Sequence, residues 1–188
     1  INRFKRDYYR KNFMFEEEKD TSSEQRWHYE QLAKKCQAGL LKNNFGAFFA
    51  PNRAEACKQI MGMIPEGSLV GIGDSVSLLQ VGVIDALDVG KYQVLNPFRS
   101  PDGRFFVHGR SSIDLMRQIV NADVFLTGTN AVTLDGKLVN TDGFGNRVSA
   151  IAFGPKKVIL VIGANKIVAD VDEALRRIRE VAAPMNAR

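Results

Sequence analysis

The sequence predicts an α/β fold with a mainly parallel sheet flanked by helices, and two of its features support this prediction. Short apolar runs bounded by turn residues are typical of strands buried on both faces, and they occur at 68–72, 122–127 and 157–162. Segments with helical spacing separate these runs, so parallel pairing through helical crossovers is the expected topology. A chain of 188 residues, 45% of them hydrophobic, is large enough to bury a full core as one domain.

The N-terminal half is predicted to alternate between helices and short strands after a polar arm. Residues 1–21 mix charged and aromatic side chains without a clear period. Ser22 offers an N-cap with Gln25 three residues later, and the helix that it begins is expected to end at the Asn43-Asn44 pair. The next elements are, in order, a short strand at 47–50, a helix at 52–64 that Pro65 ends, a strand at 68–72, a helix at 78–87 and a strand at 92–95.

The C-terminal half is predicted to contain three helices, two buried strands and a β-hairpin. The alternation around Asp135-Gly136 predicts the hairpin over 132–139, because that dipeptide favours a tight two-residue turn. The last helix begins at Asp170, and Glu173 completes its cap. Its apolar face is Val171, Ala174, Leu175, Ile178 and Val181, while Arg176, Arg177 and Arg179 are expected to face solvent. The other elements are helices at 112–121 and 147–153 and strands at 122–127 and 157–162.

The composition excludes several classes of protein. The hydrophobic content and a formal net charge of only +5 exclude a disordered chain. No apolar run approaches the roughly 20 residues of a transmembrane helix, and the first twenty residues lack the apolar segment of a secretory signal, so a cytoplasmic location is expected. Two histidines and two cysteines, at positions 28, 108, 36 and 57, show no ligand spacing. The sequence therefore predicts no metal site and identifies no cofactor.

Four glycine-bearing turns form the candidate ligand site. Ligands of open parallel sheets bind beyond the carboxyl ends of the strands, where these turns are predicted to lie. Glycine lets the backbone approach a phosphate or carboxylate closely, and two of the turns open helices whose free N–H groups favour an anion. One such turn alone is more often only a tight connection, but four together favour a site. The expected ligand-binding residues are Gly71, Gly73, Ser75, Gly128, Thr129, Asn130, Gly143, Gly145, Asn146, Arg147, Asn165 and Lys166, with Arg147 and Lys166 as the cationic partners.

Two carboxylates near these turns are candidates for catalysis. Asp142 either acts as a base toward a substrate hydroxyl or holds Arg147 and the following N–H groups in place, and the sequence leaves both interpretations open. Asp74 lies in the first turn and is the second candidate. The run that ends at Ser75 also resembles the nucleophile block of Gly-Asp-Ser esterases. Those enzymes need a histidine from the C-terminal part of the chain, however, and none follows residue 108.

Longer motifs resemble one known family. These motifs are Gly128-Thr129-Asn130-Ala131, Asp142-Gly143-Phe144-Gly145-Asn146-Arg147 and Gly154-Pro155-Lys156-Lys157-Val158. On their basis the chain resembles the LUD-domain, or lactate-utilisation, family from Trp27 to Arg188. The resemblance implies a sheet of the NagB/RpiA/CoA transferase-like kind, with a single LUD-type domain at 22–188 behind an N-terminal helical arm at 1–21. The family loop commonly reads Gly-Gly-Ser where this chain has Gly73-Asp74-Ser75, which adds a negative charge.

Three functions are compatible with these observations. The first, which the resemblance implies, is a subunit or accessory factor in the oxidation of L-lactate to pyruvate that binds a small anionic metabolite and acts beside iron–sulfur protein subunits. The second is a free-standing isomerase or acyl/CoA-transfer enzyme that uses Asp74 or Asp142. The third is an interaction module acting through the basic arm at 1–21, with nucleic acid the less favoured partner. A homodimer is expected because the aromatic residues of the arm need cover, and no membrane partner is expected.

Overall fold

The structure, a computed structural model, describes residues 21–87, 90–98 and 110–187. Apart from Thr21, the predicted arm at 1–21 lies outside the described residues. The helices are α1 (Ser22–Lys42), α2 (Arg53–Gly62), α3 (Val76–Val81), α4 (Val83–Leu87), α5 (Arg110–Gln118), α6 (Asn146–Ala152), α7 (Val171–Arg177) and α8 (Ala183–Asn186). Short 3₁₀ turns occupy Ile119–Asn121 and Ala164–Lys166, and a π-helical segment, Ile178–Ala182, joins α7 to α8. No helix in the described ranges has the length and apolarity to cross a bilayer.

The main sheet is four-stranded and entirely parallel, as the sequence predicts. Its strands are β1 (Leu69–Ile72), β2 (Gln93–Leu95), β3 (Val124–Thr127) and β6 (Lys157–Leu160), in the order β2-β1-β3-β6. In register, Val70 lies opposite Val94 on one side and Val124 on the other. Because all four strands run the same way, their carboxyl ends share one edge of the sheet.

Helices cover both faces of this sheet. On one face Val70, Ile72 and Leu126 are completely or almost completely buried in a core that α2, α3 and α4 close. On the other face Phe125 packs with Ile119 and with α6. Burial on both faces explains why these strands are apolar runs rather than alternating sequences.

The predicted hairpin forms, but it belongs to a second sheet. Strand β4 (Ala131–Thr133) pairs antiparallel with β5 (Leu138–Val139) and parallel with β7 (Ile167–Val168). The turn between β4 and β5 contains Gly136 with φ +84°, a left-handed conformation that favours glycine. The hairpin is therefore an addition beside the main sheet, and helix α1 docks on its turn: a Cβ on Gly39 of α1 would lie 2.5 Å from the carbonyl oxygen of Leu134.

Three local predictions are wrong. No strand forms at 47–50, where glutamine side chains hydrogen-bond to carbonyls: Gln37 Nε2 donates to Ala47 O at 2.9 Å and Gln59 Nε2 to Phe49 O at 3.3 Å. The helix predicted at 78–87 is broken at Gly82, whose φ of +76° ends α3. Residue Thr21, not Ser22, is the N-cap of α1.

The last helix has the predicted cap but a different exposed face. The Asp170 carboxylate accepts a 2.9 Å hydrogen bond from the Glu173 N–H, and the Glu173 side chain accepts one from Ala169 N. Ala174 and Ile178 are buried, but Val171, Leu175 and Val181 are 38–42% exposed. Arg177, which the sequence predicts to face solvent, instead donates a hydrogen bond to the Asn130 carbonyl in the turn after β3.

Candidate functional site

The four glycine-bearing turns meet at Gly128, directly after β3. The point where a Cβ on Gly128 would stand lies 2.7 Å from Ser75 Oγ and 3.4 Å from Lys166 Nζ, so the first and fourth turns both pack over this glycine. The carbonyl oxygen of Gly128 accepts a 3.2 Å hydrogen bond from Arg147 Nη1, which brings in the third turn. Gly128 is thus the shared vertex of all four turns, and a side chain there would displace Ser75.

Arg147 is fully engaged within the chain. Its Nε donates to Asp142 Oδ1 at 2.9 Å, and its Nη1 donates to Asn140 Oδ1 at 3.0 Å in addition to the carbonyl of Gly128. Its Nη2 donates to Asn130 Oδ1 at 2.6 Å and to Thr141 O at 3.0 Å. These bonds use all five N–H groups of the guanidinium. Arg147 therefore holds the second and third turns together and has no donor left over.

Asp142 is held as tightly as its partner. Its side chain is 6% exposed and that of Arg147 is 12% exposed. While Oδ1 accepts from Arg147, Oδ2 accepts a 2.6 Å hydrogen bond from the N–H of Val148, in the first turn of α6. The Asp142 carboxylate thus caps α6, and the Val148 N–H group is no longer available to bind an anion. Of the two interpretations that the sequence leaves open for Asp142, this geometry favours the positioning one.

Within the described ranges, two buried hydroxyls at the edge of the sheet have no hydrogen-bond partner. They are Ser75 Oγ, just after β1, and Thr127 Oγ1, at the end of β3. The backbone of Gly73 makes space for the second, because a Cβ there would lie 2.8 Å from Thr127 Cβ. Leaving a buried hydroxyl unpaired costs about 1–3 kcal/mol, so unsatisfied groups at a sheet edge that already gathers cations point to an additional binding partner.

Lys166 and Arg177 supply positive charge beside these hydroxyls. Among the described residues, no hydrogen bond or ion pair engages Lys166 Nζ. Burial, together with the neighbouring charges of Arg177 and Arg147, lowers the pKa of Lys166 below its usual value. Arg177 donates from Nη1 to Asn130 O and from Nε to Asn165 O at 3.3 Å, and burial lowers its pKa also. Its Nη2 donors have no partner in the described part of the chain.

Asp74 differs from Asp142 in both exposure and bonding. Its side chain is exposed, and no hydrogen bond joins its carboxylate to another described residue. Even so, the surrounding protein desolvates the carboxyl enough to raise its pKa above the usual value, an effect that the positive charge of Arg147 opposes. Of the two candidate carboxylates, Asp74 is the one that a ligand or a proton can reach.

The other predicted site residues divide into structural and open positions. Thr129 is 2% exposed, and its hydroxyl lies 3.0 Å from Ala131 O and from Asn140 Oδ1, so it ties the second turn to the hairpin. Gly71 lies inside β1 against Ile119 and outside the turn. Four residues are open positions. Gly143 and Gly145 have open space where a Cβ would stand, and the side chains of Asn146 and Asn165 make no hydrogen bond within the described ranges.

Sequence reasoning missed two residues of this site. Arg177 was expected in solvent, but it lies three residues after the buried Ala174 and next to the buried Ile178. That helical spacing is a signal that could have placed it on the inner face. Asn140 is the other residue: its Oδ1 accepts from Arg147 and Thr129 and lies 3.4 Å from Asn130 N. It precedes the motif Thr141-Asp142 after a strand, where amide side chains commonly close turns.

Two donors that are unpaired among the described residues, the amine of Lys166 and the hydroxyl of Ser75, converge over Gly128. The Nη2 group of Arg177 is also unpaired there, whereas the carboxylate of Asp142 is committed to Arg147 and that of Asp74 is exposed. Such a set can hold a carboxylate or a phosphate by charge-assisted hydrogen bonds. No cluster of three or more metal-ligating side chains occurs among the described residues.

Comparison with known proteins places the chain in a family. No curated protein matches it significantly. The family model described as the LUD domain matches residues 30–188, which cover most of α1, every later element and all four turns. The fold and the motifs at Gly128 and Asp142 agree with this match, and the protein belongs to the LUD-domain family.

Proposed function

We propose that the protein binds a small carboxylate or phosphate at the Gly128 vertex and serves 2-hydroxy acid metabolism as a subunit or accessory factor. The LUD-domain family is associated with lactate utilisation. The observation that carries the proposal is that Lys166 Nζ and Ser75 Oγ lie over the same glycine, the first without an ion-pair partner and the second buried without a hydrogen bond, within the described residues. A bound anion would satisfy both groups at once.

The charge balance of the site supports an anion. Arg177 and Arg147 both lie close enough to Lys166 for their charges to lower its pKa. The buried acid Asp142 pairs with Arg147, whose charge also acts on the exposed carboxylate of Asp74. Lys166 carries a charge that burial and two like charges oppose. An anion between Lys166 and Arg177 would relieve this repulsion, and the same residues would select against neutral ligands.

Calorimetry can test the proposal with four probes: L-lactate, pyruvate, inorganic phosphate and a coenzyme A thioester. At least one is expected to bind the wild-type chain, and Lys166→Met should weaken that binding because the methyl thioether keeps the side-chain length without the charge. Lys91→Met is the matched control, since Lys91 is an exposed lysine paired with Glu66 at the opposite end of the sheet. If all probes stay silent at millimolar concentration, or if both variants lose binding equally, the proposal fails.

A free-standing isomerase or acyl-transfer enzyme is the second candidate, and one observation favours it. Asp74 is a carboxylate with a raised pKa at the same edge of the sheet, and it has no partner among the described residues. These are properties of a general base or a nucleophile. Turnover in a coupled assay should then fall sharply in Asp74→Asn, and less in Asp114→Asn, which alters an exposed acid on α5. Full turnover in Asp74→Asn would remove this candidate.

The remaining expectations concern partners and location. The interaction module rests on the arm at 1–21, outside the described residues apart from Thr21, and the homodimer prediction rests on the same arm. Iron–sulfur protein partners and a cytoplasmic location likewise stay predictions. They are compatible with an anion-binding accessory subunit, whose ligand would pass to or come from an oxidising partner.

A further inference from the structure

Lys166 has properties that anion binding alone leaves unexplained. A lysine that attracts an anion by its charge must be protonated. Lys166 is instead partly buried and lies beside two guanidinium groups, with no acid paired to it in the described part of the chain. Desolvation and neighbouring cations both lower the pKa of the group and so favour the neutral amine. These are the conditions that make a lysine amine nucleophilic in proteins.

A hydroxyl and this amine lie within 3.4 Å of one point above Gly128. Ser75 Oγ and Lys166 Nζ both pack over the bare Cα of Gly128, on the side from which a side chain would project. The Ser75 oxygen is buried and has no hydrogen-bond partner among the described residues, so none of them takes its proton. An amine and an uncommitted hydroxyl at one position can act on the two ends of a carbonyl group, the carbon and the oxygen.

An arginine with free donors completes the set. Arg177 is fixed by hydrogen bonds from Nε and Nη1 to the carbonyls of Asn165 and Asn130, which hold the guanidinium in place. Its Nη2 donors remain unpaired among the described residues, whereas Arg147 has none to spare. A carboxylate paired with Arg177 would lie near the Lys166 amine, because the charge of Arg177 is close enough to lower the pKa of Lys166.

We infer that Lys166 forms an imine with the carbonyl carbon of a small 2-oxo acid whose carboxylate is held by Arg177, an inference that rests on the proposed anion site. The neutral Nζ bonds to the carbonyl carbon, and the carbonyl electron pair moves to oxygen. The nitrogen then gives up its two protons, and the oxygen leaves with two protons as water, so that a C=N bond replaces the C=O bond. No electrons are gained or lost. Ser75 positions the departing oxygen by donating a hydrogen bond to it.

Chemical trapping tests this step directly. The full chain is incubated with pyruvate as the 2-oxo acid probe and treated with sodium borohydride, which reduces an imine to a stable secondary amine, and the adduct is located by peptide mass spectrometry. The expected result is an adduct on Lys166 that is lost in Lys166→Arg and is absent from Lys91, an exposed and ion-paired lysine in the same sample. L-lactate carries a hydroxyl in place of the ketone carbonyl and should give no adduct.

Calorimetry with pyruvate separates the imine from the anion site. Binding of pyruvate together with an adduct confined to Lys166 supports both. Binding without an adduct, or an adduct found equally on Lys91, overturns the imine and leaves the proposed anion site in place. Absence of any binding, with no adduct, overturns both. The position of the adduct is determined on the wild-type chain, so the outcome does not depend on whether Lys166→Arg folds.

Discussion

Replacing Arg147 by methionine is the most direct test of how the site is held together. The substitution keeps most of the aliphatic length but removes a guanidinium whose five N–H groups are all bonded within the chain. It leaves Asp142, 6% exposed, with its negative charge and without its partner. Breaking a buried ion pair by removing one member costs about 3–5 kcal/mol, a large fraction of the roughly 5–15 kcal/mol that stabilises a typical domain.

Urea unfolding followed by circular dichroism measures this loss. The control is Arg117→Met, which breaks the exposed Arg117–Asp114 pair on α5 and should cost about 0–1 kcal/mol. The double variant Arg147→Met/Asp142→Asn makes the test sharper, because asparagine removes the stranded charge and can still accept from Val148 N. It should therefore be less destabilised than the two single changes together, with a coupling of about 0.5–3 kcal/mol.

Two results would refute the reasoning. One is a loss for Arg147→Met no larger than that for Arg117→Met, which would mean that the guanidinium contributes little beyond an exposed charge. The other is simple additivity of the Arg147 and Asp142 changes, which would mean that the carboxylate does not depend on its partner. In either case Arg147 would be free to serve as a ligand-binding cation rather than as the frame of the second and third turns.

Two further predictions concern the edge of the sheet. Gly73→Ala places a Cβ 2.8 Å from Thr127 Cβ in a packed region and should lower the free energy of unfolding in urea by about 1–3 kcal/mol. The control Gly62→Ala, with open space in α2, should be neutral or stabilise the protein by up to about 1 kcal/mol, and equal effects of the two changes would contradict the packing at Gly73. Because burial and Arg177 lower the pKa of Lys166, the charged amine opposes folding at neutral pH, and stability should rise as the pH increases from the folded pKa toward 10.5. Lys166→Met should abolish this rise, and an unchanged pH profile in that variant would contradict the assignment.

The main sheet was predictable because strands buried on both faces have an almost wholly apolar composition. Strand β3 is buried at every position, and only apolar or small residues can occupy such a strand. The errors arose where local pattern and tertiary contacts disagree. The apolar residues at 47–50 fit a strand, yet side chains from two helices donate hydrogen bonds to carbonyl oxygens of this segment. At 78–87 the helical periodicity is continuous, yet the left-handed φ of Gly82 ends the helix. Neither effect is visible from hydrophobic spacing. The first depends on side chains ten residues away, and the second depends on the φ angle of one glycine.

The place of the site was predictable, but the roles of its charged residues were not. Parallel strands bring their carboxyl ends together, so the turns after β1, β3 and β6 had to lie near one another. The number of hydrogen bonds that a given arginine makes depends on which carbonyls and amides surround it. Asn140 and Thr141 supply such acceptors to Arg147 only because the hairpin folds back beside β7. The second sheet, which the sequence did not predict, therefore determines which arginine is free.

Arg147 and Arg177 therefore have different roles in the site, and the difference follows from the groups that surround each guanidinium. Arg147 lies among acceptors from two turns and beside Asp142, so its charge is neutralised and its N–H donors bond to the chain itself. Arg177 donates only to backbone carbonyls within the described residues, so no acid there pairs with it and its Nη2 group stays unbonded. The cations without an ion-pair partner in that part of the chain are thus Arg177 and its neighbour Lys166. A ligand that neutralises them must enter over Gly128, since that is where the unpaired amine and hydroxyl converge.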